Sequence, residues 1–296
     1  MAADGKVPVV RAAKAGLAFL RESWRHYLPG AAICGVAAGW ATAAQALYAR
    51  DGGPQFLHTV LALVAVLLTS IFFQTAALRH ALRDVTPGPL ALETGPDAFR
   101  LLGVSVQVGF FLVLLMAPLV LALSVILGVM LAGSGIDPNA VGQDPAALVA
   151  ALGPGGGAIL TIIGLLALAG VLWFYARLAL AAPATIGEGR MMAFRTWRWT
   201  RGNGWRILAA IVLVTFPLSV ATGIVSALVQ GLTQTPLSDP AALLRDGELL
   251  RSPFLIAAVG GLQGFLNTLV VGLSSVGVTA FLYKGLRPQE ETITVA

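Results

Sequence analysis

Read for polarity alone, the chain is a series of long apolar runs joined by short polar connections. Six runs reach the about 20 mostly apolar residues that a transmembrane helix needs. They are Leu28 to Tyr48, Phe56 to Leu78, Leu101 to Ala132, Ala158 to Ala182, Ile207 to Leu232 and Phe254 to Tyr283. Trp24, Tyr27, Phe99, Trp173 and Trp205 stand near the run ends, where an apolar ring and a polar tip both find their solvent. The third run has 32 residues. At about 1.5 Å each these exceed the roughly 30 Å hydrocarbon core, so the helix must tilt, project or bend at Pro118. The pattern predicts an all-α polytopic membrane bundle, a single membrane domain over 1–296.

Composition agrees. The chain is 57% hydrophobic and 11% charged, with a mean hydropathy of +0.84. A soluble domain carries about a quarter charged residues. One cysteine, Cys34, lies inside an apolar run, which excludes a disulfide framework and a cysteine metal site. Charge then sets direction. Sixteen Lys and Arg fall in the N-terminal segment, the second and fourth connections and the C-terminus, against Arg50, Arg245 and Arg251 on the other side. By the positive-inside bias both termini are cytoplasmic, in a bacterial inner membrane.

The chain also reads as three parallel helical hairpins, over approximate units 8–84, 85–184 and 185–288 with a tail at 289–296. Trp24-Arg25, Phe99-Arg100 and Trp205-Arg206 each precede an outgoing run, and Asp144-Pro145-Ala146-Ala147-Leu148 recurs as Asp239-Pro240-Ala241-Ala242-Leu243. Asp at N-cap and Pro at N1 start a short helix in both. Parallel units of this kind would be related by an axis along the membrane normal.

Two cytoplasmic segments carry the helical period. Val10, Ala13, Leu17, Leu20 and Trp24 form an apolar row beside a basic one that includes Arg11, Lys14 and Arg21. Met191, Phe194 and Trp197 stand with Arg195, Arg198 and Arg201, before a break at Gly202-Asn203-Gly204 and then Arg206. Such helices lie in the headgroup plane and favour anionic lipid. Ordinary positive-inside anchoring produces the same pattern.

Ionisable residues at depth are functional candidates. Arg177 is the candidate, placed to hold a lipid phosphate or to snorkel to the interface. Gln107, Gln263 and Asn267, with Gln45 and Gln74, are the intramembrane amides, read as interhelical hydrogen bonds or as a polar path. Gly35 with Gly39, and Gly260 with Gly264, mark close helix packing. His26, His58 and His80 lack metal-ligand spacing, and neither a Walker loop nor a serine nucleophile elbow is present. Gly153-Pro154-Gly155-Gly156-Gly157 reads as a flexible turn.

From Tyr175 the residues become specific. Tyr175-Ala176-Arg177-Leu178, Ala182-Pro183, Trp197-Arg198, Gly202-Asn203-Gly204-Trp205-Arg206 and Leu282-Tyr283-Lys284-Gly285-Leu286-Arg287 follow in order. This resembles the membrane domain attached to some bacterial glycerophosphoryl diester phosphodiesterases, over about 175 to 287. The resemblance implies about six spans without catalysis of their own, since the catalytic barrel has no counterpart here. The expected protein is therefore a non-enzymatic inner-membrane component associated with membrane lipids, anionic ones among them, or with a membrane-protein partner or a second copy. No cofactor, metal or nucleic acid is expected. The alternative is a transporter or channel with a path between the hairpins.

Overall fold

The computed structural model describes residues 6–134, 145–237, 243–245 and 248–287. Six helices are long and apolar enough to cross a membrane. Helix α1 spans Val9–Asp51, α2 Phe56–Arg83, α3 Pro96–Ser134 and α4 Pro145–Leu178. Two short helices follow, α5 (Ala181–Glu188) and α6 (Thr196–Trp199), and then α7 (Gly204–Thr233). The last span is α8 (Pro253–Leu266), a π-helical stretch at Asn267–Gly272, and α9 (Leu273–Leu286). A two-residue strand pair, Leu244–Arg245 with Glu248–Leu249, lies between α7 and α8.

The glycine pairs read from the sequence face each other. A Cβ on Gly39 would stand 2.3 Å from the Ala257 carbonyl oxygen, one on Gly35 2.8 Å from that of Gly261, and one on Gly264 2.4 Å from Ala38 Cβ. The backbones of α1 and α8 approach this closely because no side chain separates them. Without a hydrophobic drive between helices in lipid, such contact is the main source of association. The seam continues where Gly16 of α1 meets Val278 and Gly277 of α9 meets Phe19.

That seam changes the N-terminal segment. It is not a separate in-plane helix, because α1 runs unbroken through Pro29 for 43 residues. Of the predicted apolar row, Ala13 is buried and Leu20 partly so. Val10, Leu17 and Trp24 are exposed, while Ala12, Ala13, Gly16, Ser23 and Tyr27 are buried. Small residues that admit α9 win the inner face, and the large apolar ones turn outward. The second expected amphipathic segment is mostly turns around the single-turn α6. Its Phe194 packs edge-on against Phe111 at 4.7 Å and its Trp197 against Trp173 at 5.2 Å, so it braces the α3–α4 hairpin.

The glycine run at 153–157 is helical apart from Gly153, whose φ of 61° only glycine adopts freely. Gly153 sets off the start of α4, where residues 145–148 of the first Asp-Pro pentapeptide lie. Asp144 and residues 239–242 of its echo lie outside the described residues. Phe99-Arg100 and Trp205-Arg206 both occupy the first turn of a long helix, whereas Trp24-Arg25 lies within α1.

The core sits at the basic end. Tyr27, Phe73, Leu78, Leu101, Ile186 and Leu273 form one cluster, and a second gathers around Leu180, Met192, Ile207 and Leu282. Away from that end α3 and α4 expose most of their described residues. In the most apolar 18-residue window of each, none of the described residues is buried.

Candidate functional site

Two cavities remain where α3 and α4 stand off from the other helices. The larger, about 780 Å³, lies between α4, α7 and the last span. The smaller, about 520 Å³, lies between α2, α3, the α4–α5 corner and the last span. They share Tyr175, Thr268, Gly272 and Ser275, so they adjoin.

Helix geometry explains the lining. Thr215, Ser219, Thr222 and Ser226 follow 4-3-4 spacing and fall on one face of α7. The last span answers with Gln263, Asn267, Thr268 and Ser275. The π-helical stretch begins at Asn267 and ends at Gly272, and both line the larger cavity. Its wider turn shifts the register at the point where the last span faces α7, a feature common at functional positions. The larger cavity reaches from Leu208 to Ser226, which is from about 6 to about 33 Å along α7. Its α7 wall passes from buried Ile211, Thr222 and Ser226 to exposed Val212, Ser219 and Gly223, so it opens sideways toward lipid.

The polar atoms are unequally satisfied. Thr215 and Thr279 donate to their own helices, to Ile211 O at 2.9 Å and Ser275 O at 2.9 Å. Thr222 Oγ1 reaches Ser219 O at 3.1 Å and Asn267 Oδ1 at 3.2 Å, which joins α7 to the last span. Ser226 Oγ is buried with no partner among the described residues. No Lys, Arg, Asp, Glu or His appears among the described residues lining either cavity.

The predicted residues separate. Gln263 and Asn267 line the larger cavity. Gln107 does not line it and is exposed on α3. Arg177 also lies outside both linings. Its guanidinium carbon stands 5.4 Å from the Trp173 ring and 5.7 Å from the Trp197 ring. Its Nε and Nη1 are buried without a hydrogen-bond partner among the described residues, facing π surfaces that attract the cation. Arg195, Arg198, Arg201 and Arg206 are exposed at the basic end.

The sequence reading missed an ionic clasp directly beyond the smaller cavity. Asp97, in the first turn of α3, accepts from Arg83 Nη1 at 2.8 Å and from Arg100 Nη1 at 2.8 Å. Arg79 Nη1 pairs with Glu93 Oε1 at 2.8 Å and its Nε stands 4.0 Å from Asp97. Arg83 Nη2 also donates to the Ile186 carbonyl of α5. The clasp thus ties α2, α3 and α5 together below Leu101, Ala181 and Ala182, which line the smaller cavity. Across the same corner Tyr283 Oη donates to Glu188 Oε1 at 2.6 Å. Among the described residues, no three His, Cys, Asp or Glu side chains gather to hold a metal.

Compared with known proteins, the chain matches no family model, no curated protein and no solved structure.

Proposed function

We propose that this protein is a non-enzymatic lipid-binding membrane protein that takes a lipid's polar head into the space between α4, α7 and the last span, with the acyl chains left in the bilayer. One observation carries the reading: a cavity of about 780 Å³ along the length of α7 sets a row of hydroxyls and amides among apolar side chains and is bordered by exposed residues. Polar groups in hydrocarbon are costly unless partnered. A space of that size is within the range of ligand sites. An amphiphile arriving from the side would satisfy the polar wall without dragging its chains through protein. The lining offers hydroxyls and amides but, among the described residues, no acid–base pair for chemistry.

The basic end is proposed to face the cytoplasm of a bacterial cell, on the strength of the sixteen-to-three charge bias. Arg195, Arg198, Arg201 and Arg206 would then meet anionic headgroups of the inner leaflet. A small apolar cavity of about 280 Å³ bordered by Arg11 and Lys284 suits the same lipids. A second reading, translocation of the bound amphiphile, is favoured by the walls the two cavities share.

The test uses a wall glycine. Nothing lies within 4 Å of a Cβ built on Gly223, and the same holds for Gly164 on the lipid-facing side of α4. Gly223→Trp therefore adds bulk at the cavity mouth with no obstruction at its Cβ, and Gly164→Trp is the matched control. Lipid co-purifying per protein, measured by mass spectrometry, is expected to fall about tenfold in Gly223→Trp and to hold in Gly164→Trp. Equal lipid in both variants and the wild type would remove the groove as the binding site.

A further inference from the structure

We infer that the head bound in this groove is uncharged and hydroxyl-bearing, of the glyceride or glycosyl-glyceride class, and that Ser226 and Gln263 of the wall hold it. The inference rests on the lipid-binding reading of the groove and names its ligand. Three observations on the wall support it.

First, the chemistry of the lining is neutral. A phosphate drawn into this depth would need a cation or several donors to replace its water. Arg177, the nearest candidate on the chain, is turned away between Trp173 and Trp197 and does not line the space. The clasp arginines Arg79, Arg83 and Arg100 are taken up by Asp97 and Glu93. A neutral hydroxyl needs only a donor and an acceptor, which hydroxyl and amide side chains supply together.

Second, the wall holds donors with nothing to do in the fold. Ser226 is 5% exposed, lines the cavity, and its Oγ has no hydrogen-bond partner among the described residues. A helical serine usually donates back to its own helix. Gln263 lines the same space, and its side-chain amide makes no hydrogen bond among the described residues.

Third, Asn267 is engaged at one end only. Its side-chain amide meets Thr222 Oγ1 at 3.2 Å. An amide has more donor and acceptor capacity than one hydroxyl can use, so polar capacity is left for the cavity. The three groups come from facing elements, α7 on one side and the last span on the other, so one hydroxylated head can bridge them.

Because neither Ser226 Oγ nor the Gln263 amide is used internally, replacing both leaves the fold intact and removes only ligand contacts. The experiment takes the full chain, delipidated in detergent, and titrates it with lipids of identical acyl chains. The probes are a monoglycosyl diacylglycerol, diacylglycerol, phosphatidylethanolamine and phosphatidylglycerol. Affinity is read for wild type, Ser226→Ala/Gln263→Leu, Gly223→Trp and Arg177→Ala. The expected result is that the two neutral lipids bind about tenfold more tightly than phosphatidylglycerol, and lose about tenfold in Ser226→Ala/Gln263→Leu at unchanged thermal midpoint. Phosphatidylglycerol or phosphatidylethanolamine binding as well as the neutral lipids, or neutral binding untouched by the double variant, would overturn the headgroup assignment while Gly223→Trp still abolished binding. Binding of every lipid unaffected by Gly223→Trp would instead overturn the groove itself. Loss of phosphatidylglycerol alone in Arg177→Ala would place an anion outside the groove and leave the neutral preference to stand.

Discussion

Gly39→Ala is expected to lower stability by about 2–3 kcal/mol, the upper range for overpacking a tight contact. The added methyl would stand 2.3 Å from the Ala257 carbonyl oxygen and 3.2 Å from Gly261 Cα. Both neighbours are backbone, so the clash is relieved only by separating α1 from α8. That separation loosens Gly35 against Gly261 and Gly264 against Ala38, which belong to the same seam. Gly164→Ala is the contrast. It adds a methyl in open space within a helix, where alanine is better than glycine by about 0.5–1 kcal/mol. Thermal or SDS unfolding of the two variants should therefore move in opposite directions. Equal midpoints would mean that the seam is not the contact that joins the first and last spans.

The second large effect belongs to the clasp. Asp97→Ala should lower stability by about 2–3 kcal/mol, below the about 3–5 kcal/mol of a fully buried broken pair. The Asp97 side chain is only 10% exposed, so its two 2.8 Å contacts are shielded from salt and water. Its partners are less buried: the Arg79, Arg83 and Arg100 side chains are 26%, 36% and 40% exposed, so water recovers part of their solvation. Asp97→Asn, which keeps the shape and removes the charge, should fall between. Removing the exposed Arg21–Glu22 pair, 3.7 Å apart at 82% and 68% side-chain exposure, should change almost nothing. A loss at Asp97 no larger than at that surface pair would show that the clasp does not hold α2, α3 and α5 together.

These two expectations stand on different footings in the sequence. The glycine pairs were legible, because GxxxG spacing places two small residues on one helix face and lipid leaves packing as the main reason to keep them there. The six spans were legible for the same kind of reason, since length and polarity alone decide what hydrocarbon accepts. The clasp was not. Arg79, Arg83 and Arg100 look like positive-inside residues, and only the loop that carries Glu93 and Asp97 back beneath α2 turns them into a network.

The groove was legible in part. Gln263 and Asn267 stood out as amides at depth. The α7 hydroxyls, at 4-3-4 spacing over Thr215, Ser219, Thr222 and Ser226, carried a signal that a search for charged residues passes over. Single serines and threonines in a span usually bond their own helix, as Thr215 does to Ile211. What distinguishes Ser226 is a missing partner, and that is a property of the packed bundle. The π-helical stretch at Asn267–Gly272 likewise packs against α1 and α7. Arg177 shows the opposite error. Its apolar surroundings in the sequence suggest depth, yet it is the penultimate residue of α4 and faces the tryptophans at the basic corner, because Trp173 one turn earlier and Trp197 on α6 offer it ring faces.

The account turns on a polar head held at hydrocarbon depth, and photo-crosslinking in intact membranes tests this most directly. Ser219 lines the groove at its open edge, and the next residue, Val220, is exposed at the same depth outside the lining. Benzoylphenylalanine placed at each position and irradiated in place should yield lipid adducts at both. Fragmentation of the Ser219-position adduct should locate the new bond on headgroup or glycerol carbons, and that of the Val220-position adduct on acyl chain. Acyl-chain attachment at both positions would contradict the account.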